Sequence, residues 1–257
     1  MNSESIKMYF FAMKELVGRE VKRKYVRSYL GVMWSVLNPL LSMVVMSLIF
    51  STIFKRSIEN FPVYYLTGTI LWNMFTGATN SAMTALVDNK NLMTRTKLPR
   101  QIFPLSRILT SLVNFWYSLI AYVVIVVFFK IAPSASLLAF PVVVMMLLLF
   151  STGLGYVLAI AYTFMPDVKY LYSILLQLWM YLSAIFYPVD LLSPQMQTVI
   201  RVNPLYIFIA AARSCVLYHA WPPAMEWIGM LGWGFGMYAL GSLVFDANKD
   251  KILLQNM

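Results

Sequence analysis

The sequence predicts an all-α membrane protein with six transmembrane helices, an N-terminal amphipathic helix and short re-entrant helices between the fifth and sixth spans. Three observations lead to this fold class. Of the 257 residues, 60% are apolar and only 12% are charged, whereas a soluble domain averages about 45–50% apolar and about 25% charged residues. Six long stretches carry no charged residue, and the basic residues are concentrated in alternate loops. This composition excludes a soluble enzyme, a disordered chain and a disulfide-stapled secreted module.

The charge-free stretches contain 27, 28, 22, 36, 20 and 19 residues in chain order. A helix needs about 20 apolar residues to cross the hydrocarbon core, so each stretch accommodates one span. The fourth stretch opens with the turn sequence Ala-Pro-Ser-Ala-Ser, which shortens it to a single helix. The predicted spans are residues 29–54, 62–87, 104–129, 138–164, 170–188 and 225–245, which together form a transmembrane domain over 29–245.

The distribution of Lys and Arg predicts the orientation of these spans. With both termini on one side of the membrane, the segments on that side carry 15 Lys and Arg residues and the segments on the other side carry 5. An excess of basic residues marks cytoplasmic loops, so both termini are predicted to be cytoplasmic. The same asymmetry accounts for the net charge of +10 without a nucleic-acid partner. The cytoplasmic segments are 1–28, 88–107, 165–169 and 246–257, and the outer segments are 55–61, 130–137 and 189–224.

Two segments differ from a plain hairpin bundle. Residues 1–28 place apolar side chains at helical spacing and basic side chains on other faces, which predicts an amphipathic helix along the inner membrane surface. The outer stretch 189–218 is too apolar for a solvated loop and is interrupted by Pro194 and by Asn203-Pro204. We therefore expect short re-entrant helices whose backbone is covered by protein. The apolar positions of the N-terminal helix are Ile6, Phe10, Met13, Val17 and Val21.

Several chemistries have no counterpart in the sequence. There is one histidine and no Gly-x-x-x-x-Gly-Lys-Ser/Thr motif, and the predicted spans contain no charged residue beyond Arg107 and Glu226, which lie in the first turns of their spans. A metal site, an ATP site and an ion-driven carrier each need such features. The sequence therefore predicts a transport protein that takes its energy from a cytoplasmic partner, and a passive or structural membrane protein remains the alternative.

Four sequence segments, in order along the chain, carry a resemblance to a known family. RKYVRSYLGVMWSVLNPL at 23–40 places basic residues before Ser-x-Leu-Gly-x-x-Trp and Asn-Pro, and NKNLMTRTKLPRQIFPLSRI occupies 89–108. Asp167-Val168 is followed by AIFYPVDLL at 184–192, and RVNPLYIFIAAAR occupies 201–213. Together these segments resemble the permease subunits of type-2 ABC exporters, especially those for O-antigen, capsule and teichoic acid. The chain departs from many relatives at Met165-Pro166-Asp167, where they carry Arg-Asp.

The resemblance implies the ABC-2 type exporter fold and a homodimer in the bacterial inner membrane. It implies two copies of a separate ATPase subunit that bind ATP and Mg²⁺, so that this chain is not an enzyme and holds no cofactor itself. The implied substrate is an O-antigen-like polysaccharide linked to undecaprenyl pyrophosphate. The alternatives are an ABC-2 exporter of teichoic acid, a drug or a small lipid, and an integral-membrane glycan-processing enzyme. The enzyme would need clustered carboxylates or a metal site, which the loops lack.

The cytoplasmic loop 88–107 is the expected contact with the ATPase. It carries five basic residues and the apolar pair Leu92-Met93, which a short helix would present to a cleft in the partner. An ordinary positive-inside loop is the alternative. The N-terminal helix would dock the ATPase or bind anionic headgroups, and a third role is to collect the carrier pyrophosphate. The coupling candidates are Glu20, Arg23, Lys24, Arg27, Asn91, Leu92, Met93, Arg95, Lys97, Pro99, Arg100 and Asp167.

Aromatic residues, which make up 16% of the chain, are the candidates for a glycan path. Sugar C–H faces stack on aromatic rings, while Tyr and Trp also collect at membrane interfaces. The glycan-channel candidates are Tyr29, Trp34, Trp72, Phe75, Tyr172, Trp179 and Tyr181.

Three charged residues in the outer stretch are candidates for an outer gate. Arg201 and Arg213 are unusual among so many apolar residues, and they would pair with Asp190, with headgroups, or with phosphate or acidic sugar on exit.

Overall fold

The computed structural model describes residues 3–26, 29–53, 58–96 and 98–256, and this part of the chain is helical and contains no strand. The predicted all-α class is therefore confirmed. Short 3₁₀ turns occupy Ala135–Ala139 and Val189–Leu191. The helices are α1 (Ser3–Tyr25), α2 (Met33–Ile53), α3 (Phe61–Asp88), α4 (Lys90–Arg95), α5 (Ile102–Phe128), α6 (Phe140–Phe164), α7 (Val168–Leu182), α8 (Pro194–Val202), α9 (Pro204–Val216) and α10 (Ala224–Asn256).

Helix α3 is the central helix of the bundle and packs along α5 and α6. Most of its side chains are buried, and many are small or hydroxylic, which allows neighbouring helices to approach closely. The Thr67 hydroxyl donates to the carbonyl of Val63 and lies 2.6 Å from the Tyr122 hydroxyl of α5. These hydrogen bonds satisfy polar groups in a region where water is excluded.

A second, smaller core lies at the end of the bundle where α1, α4, the start of α5 and the end of α10 meet. We call this the basic end. Met13 of α1, Met93 of α4 and Phe103 of α5 are buried there. Phe245 of α10 packs against Tyr156 of α6 with ring centroids 5.1 Å apart. The basic end is therefore an ordered part of the protein and not a set of loose loops.

Helix α1 forms as expected but uses a different face. Met13 and Leu16 are buried against the bundle, whereas Phe10 and Phe11 are exposed. The expected face at Phe10, Met13 and Val17 is thus rotated by about one residue. The exposed phenylalanines leave an apolar surface on α1 that is suited to lipid.

Four helices of the described chain are long and apolar enough to cross a membrane: α2, α5, α6 with its preceding turn, and α10 up to Lys249. A fifth candidate is the pair α8–α9, which is bent by 90°. Helix α3 has 28 residues, but Asn73, Asn80 and several threonines make it less apolar. The count of six spans therefore stays a prediction. The structure has a long helix at five of the six places where the sequence predicts a span.

The expected fifth span, 170–188, is wrong in extent. Helix α7 has only 15 residues and ends at Leu182, which corresponds to roughly 22 Å at 1.5 Å per residue. The backbone of Ala184 has a positive φ of 48°, which is incompatible with a continuing α-helix. The chain therefore turns before it has crossed a hydrocarbon core of about 30 Å.

The outer stretch is broken into short helices where the sequence predicted. Helix α8 begins at Pro194, and α9 begins at Pro204. The Asn203 side chain accepts a hydrogen bond from the Leu205 amide and caps α9. At the other terminus, α10 continues without a break through the predicted tail 246–257 as far as Asn256.

Candidate functional site

Buried ion pairs fasten α1 to the bundle at the basic end. Glu20 is only 6% exposed and accepts from Arg107 Nη1 at 3.0 Å and from Arg19 Nη2 at 3.1 Å. The other terminal nitrogen of Arg107, Nη2, lies 3.2 Å from Asp88 Oδ2 at the end of α3. A buried carboxylate is tolerated when charged hydrogen bonds surround it. Three helices, α1, α3 and α5, thus meet at one guanidinium group.

Asn89 lies at the joint between α3 and α4 and connects it to the same ion pairs. Its side-chain oxygen accepts from Arg19 Nη2 at 2.6 Å, and its side-chain nitrogen donates to the carbonyl of Ala85. The carbonyl of Asn89 accepts from the amides of Leu92 and Met93, which starts α4. Asn89 therefore connects the start of α4 to α1. Sequence reasoning missed Asn89 because an uncharged residue between two helices carries no distinguishing pattern.

The short helix expected in the 88–107 loop is present as α4, but it presents a different face. Met93 is only 9% exposed and packs in the core of the basic end, and Leu92 packs beside it. The expectation that Met93 faces a partner is wrong, because its side chain is buried in its own subunit, whereas Leu92 is partly exposed and its contact with a partner stays a prediction. The exposed face of α4 consists of Lys90, Asn91, Thr94 and Arg95.

The remaining coupling candidates are spread over the basic end. Arg23 and Lys24 are exposed at the end of α1, and Pro99 is exposed before α5. Asp167 is exposed and its carbonyl accepts from the amides of Tyr170 and Leu171 in the first turn of α7. Arg100 is partly exposed. Arg27 and Lys97 lie outside the described residues.

A cavity of about 640 Å³ opens between α1, α2, α3 and α5. We call it the polar groove, because most of the residues that line it carry an amide, a hydroxyl or a charge. It lies beside the basic end, because Arg107 and Glu20 are part of its wall. It is lined by Glu20, Arg23, Lys24, Tyr25, Trp34, Ser35, Asn38, Asn73, Gly77, Ser81, Arg107, Thr110, Ser111, Asn114 and Ser118, together with a few apolar residues.

Hydrogen bonds fix the wall of the polar groove between α1, α2 and α5. The Tyr25 hydroxyl donates to Asn114 Oδ1 at 2.5 Å and lies 2.6 Å from the Ser35 hydroxyl. The Ser118 hydroxyl donates to the carbonyl of Ser35 at 2.8 Å. The start of α2 is therefore held against the middle of α5 and the end of α1. Sequence reasoning missed this groove because its polar residues come from four separate helices.

The aromatic residues proposed for a glycan path fall into two groups. Phe75 is fully buried and contacts Phe150 and Trp179, with ring centroids 5.9 and 5.5 Å apart. Trp72 and Tyr172 are also buried, and the Tyr172 hydroxyl donates to Thr79 Oγ1 at 2.7 Å. The expectation that Trp72, Phe75 and Tyr172 line a glycan path is wrong, because these residues pack in the core of the subunit. Tyr29, Trp34 and Tyr181 are exposed and remain candidates.

Trp179 has a structural role at the opposite end of the bundle. Its indole Nε1 donates to Asn203 Oδ1 at 2.7 Å, and the Asn203 side-chain nitrogen donates to the carbonyl of Leu182 at 2.9 Å. Asn203 thereby joins the end of α7 to the bend between α8 and α9. Trp179 is partly buried and holds this joint.

Arg213 differs most from its predicted role as an outer-gate residue. It is 3% exposed and donates to the carbonyls of Tyr64, Ala184 and Ile185 at 3.0–3.3 Å. Its guanidinium carbon also lies 3.4 Å from the centre of the Tyr64 ring, a cation–π contact. The prediction that it meets headgroups or acidic sugar is wrong, because carbonyls and an aromatic ring already surround its charge.

The other two outer-gate candidates are at the surface. Arg201 and Asp190 form an ion pair at 4.0 Å with both side chains largely exposed. Such a pair contributes little to stability, and it matches the expected pairing of Arg201 with Asp190.

The sequence matches the profile of the ABC-2 type transporter family over residues 12–217. The chain belongs to the ABC-2 type transporter family. It is similar to the O-antigen export system permease protein RfbA of Myxococcus xanthus, with 28% identity over 238 residues that cover 92% of each chain. The match spans α1, the bundle and the outer short helices.

Two further relatives point to the same branch of the ABC-2 family. The O-antigen export system permease protein RfbA of Klebsiella pneumoniae is 26% identical over 82% of this chain and 84% of its own length. The polysialic acid transport protein KpsM of Escherichia coli is 22% identical over 77% of this chain and 78% of its own length. The resemblance inferred from the sequence segments is confirmed at the level of the family.

Proposed function

We propose that this ABC-2 permease exports a lipid-linked, O-antigen-like polysaccharide across the bacterial inner membrane, driven by ATP hydrolysis in a separate subunit. The observation that carries the proposal is the similarity to an O-antigen export permease over 92% of both chains. The lipid anchor is proposed to be undecaprenyl pyrophosphate. In this account the permease itself is not an enzyme, and ATP and Mg²⁺ bind to the partner.

The ATPase is proposed to dock on the exposed face of α4. Lys90, Asn91 and Arg95 form a polar, basic surface there. On the opposite side of the same helix, Met93 packs into the subunit. A docked partner that moves α4 would also move Asn89, which Arg19 contacts at 2.6 Å. Arg19 and Arg107 share Glu20, so the displacement would reach α1 and one wall of the polar groove.

Orientation follows from this docking surface and from the basic residues. The basic end is proposed to be cytoplasmic, since positively charged segments favour that side. Helix α1 would then lie at the inner membrane surface with Phe10 and Phe11, both exposed, toward lipid.

We propose a homodimer because α7 is too short to cross the membrane and exposes apolar side chains. It has 15 residues, and Leu171, Ile174, Leu175 and Leu178 are exposed on it. A helix too short to cross the core is unfavourable against lipid on all sides. A second copy of the chain would cover this surface, and the glycan path would lie between the two subunits beside Tyr29, Trp34 and Tyr181.

The decisive experiment is co-purification with the ATPase encoded by the neighbouring gene, followed by hydrolysis measurements in lipid nanodiscs. We expect a complex of two permeases and two ATPases whose vanadate-sensitive hydrolysis rises when a lipid-linked glycan is added. A drug, a small lipid or a teichoic acid that stimulates hydrolysis while the glycan does not would replace the proposed substrate. A solitary permease that modifies glycan lipids would replace the proposed function with an enzymatic one.

A further inference from the structure

We propose that the polar groove binds the phosphate-linked first sugar of a membrane lipid, with the sugar between the amides of α2, α3 and α5 and the phosphate at the basic mouth. This inference rests on the proposed export function and assigns one step of it to a cavity inside a single subunit. The groove is a loading site for the head of the lipid, and it adjoins the proposed path between subunits at Trp34.

The dimensions of the groove suit such a head group. Its wall follows α5 from Arg107 to Ser118, which is about 16 Å at 1.5 Å per residue. The cavity volume of about 640 Å³ lies within the range of roughly 300–1,000 Å³ that is usual for small-molecule sites. One sugar and one or two phosphates fit in this length, while the rest of a long glycan does not.

The upper part of the groove offers amides that have no partner in the described chain. Asn38 of α2 and Asn73 of α3 are exposed in the groove, and their side chains make no hydrogen bond to the described residues. An amide facing lipid tails without a partner is unfavourable. Each amide both donates and accepts, as sugar hydroxyl groups require. Their position favours a ligand rich in hydroxyl groups.

The mouth of the groove is basic. Arg23 and Lys24 are exposed at the rim. Arg107 lies between them and the interior, and its Nε is buried and has no hydrogen-bond partner in the described chain. The terminal nitrogens of Arg107 are already paired with Glu20 and Asp88. The two exposed cations, of which Lys24 also lies 5.3 Å from the centre of the Tyr25 ring, are suited to bind a phosphate group.

Trp34 stands at the rim of the groove. Its side chain is 50% exposed although it lies one residue inside α2. An exposed indole beside amides provides an apolar face for the C–H groups of a sugar ring. The groove therefore has a cationic contact, a polar contact and a stacking contact for one ligand.

The test measures lipid binding to the purified permease without ATPase, by native mass spectrometry in detergent. The probes are undecaprenyl diphosphate carrying one N-acetylglucosamine, undecaprenyl diphosphate without sugar, and the soluble UDP-N-acetylglucosamine and inorganic phosphate. The double variant Asn38→Ala with Asn73→Ala removes the amides, and Arg23→Gln with Lys24→Gln removes the cations. The matched controls are Asn80→Ala on α3 and Lys22→Gln on α1, both exposed and outside the groove.

We expect the amide variant to weaken binding of the sugar-bearing lipid by about tenfold, as the loss of two hydrogen bonds predicts, and to leave the sugar-free lipid unaffected. The cation variant should weaken both lipids, and the controls should bind as the wild type does. If the amide variant binds the sugar-bearing lipid as tightly as the wild type does, the proposal is wrong. If soluble UDP-N-acetylglucosamine or inorganic phosphate competes as well as the lipid does, the ligand of the groove is not a lipid.

The proposed export function is tested separately in the reconstituted complex. If the wild-type complex exports the lipid-linked glycan and the amide variant binds and exports equally well, the groove assignment fails while the export function stands. If the wild-type complex hydrolyses ATP without exporting any lipid-linked glycan, the export function fails first. The two failures are therefore distinguishable.

Discussion

Arg213 and Glu20 are buried charges that the protein stabilises in different ways. Arg213 is surrounded by three main-chain carbonyls and the face of Tyr64. Glu20 is held by guanidinium groups from its own helix and from α5. The first arrangement joins the segment after α7 to the first turn of α3, and the second joins whole helices. Each predicts a different response to mutation.

Replacing Arg213 by alanine should lower the stability of the subunit by about 3 kcal/mol or more, because several buried carbonyls lose a charged donor. The measurement is the midpoint of thermal unfolding in detergent. Arg213→Lys should recover only part of the loss, since one ammonium group cannot reach the carbonyls of Tyr64, Ala184 and Ile185 together. Arg201→Ala, on the exposed neighbouring helix, is the matched control and should leave the midpoint unchanged. Equal midpoints for both alanine variants would mean that Arg213 does not hold the carbonyls of Tyr64, Ala184 and Ile185 together.

Glu20 and Arg107 should be energetically coupled by about 1–3 kcal/mol, the range usual for contacting residues in one ion-pair network. A double-mutant cycle with Glu20→Ala and Arg107→Ala, followed by denaturant unfolding, measures this coupling. Glu15→Ala on the exposed face of α1 provides the control cycle with Arg107→Ala and should give additive effects. Additivity for Glu20 would mean that the 3.0 Å contact does not hold α1 to the bundle.

Helices α6 and α10 approach each other so closely at Gly153 and Gly241 that no side chain fits between them. An added Cβ at Gly153 would lie 2.0 Å from the Met237 carbonyl oxygen, and one at Gly241 would lie 2.1 Å from the Gly153 carbonyl oxygen. Backbone atoms cannot move aside as a flexible side chain does. The close approach explains why this helix pair needs small residues.

Alanine at Gly153 or at Gly241 should therefore destabilise the subunit by about 1–3 kcal/mol or more through overpacking. Alanine at Gly232 or Gly236, on the same helix α10 with nothing within 4 Å of the added Cβ, should be neutral. Thermal unfolding of the four variants in one detergent gives the comparison. The packing at this helix pair would be incorrect if all four behaved alike.

The exposed face of α4 should bind the ATPase, whereas its buried face should support folding. Arg95→Glu combined with Lys90→Glu, both exposed on α4, is expected to reduce co-purification of the ATPase strongly while membrane insertion and the unfolding midpoint stay normal. Met93→Ala, which opens a cavity in the core of the basic end, should lower the midpoint instead. Normal co-purification and export by the charge-reversal variant would remove α4 as the docking element.

Part of this architecture follows from the sequence because its physical cause is local. Uncharged stretches of about 20 residues produced long apolar helices, and Pro194 and Asn203-Pro204 produced the breaks before α8 and α9. Other features depend on contacts between distant segments. Neither the inward packing of Met93, nor the carbonyl partners of Arg213, nor the polar groove has a signal at any single position. Composition distinguishes segments that lie in the membrane from segments that lie in water. It does not distinguish the residues that face lipid from those that face another part of the subunit.

At the scale of the whole molecule, α7 should form part of the contact between two copies of the chain. Replacing Ile174 and Leu178 by alanine should raise the fraction of monomer, measured by native mass spectrometry over a dilution series. The matched control replaces Val123 and Val127, which are similarly exposed on α5, and should leave the dimer intact. An unchanged dimer in the α7 variant would move the contact to another surface.

The proposed export function requires that this protein has no energy source of its own and moves a lipid-linked glycan only when a separate ATPase drives it. The most direct measurement is transport of radiolabelled lipid-linked glycan in proteoliposomes that contain the permease with or without its ATPase. We expect transport only when both subunits and hydrolysable ATP are present, and none with an ATPase that cannot hydrolyse ATP. Uphill transport by the permease alone on a proton or sodium gradient would contradict it.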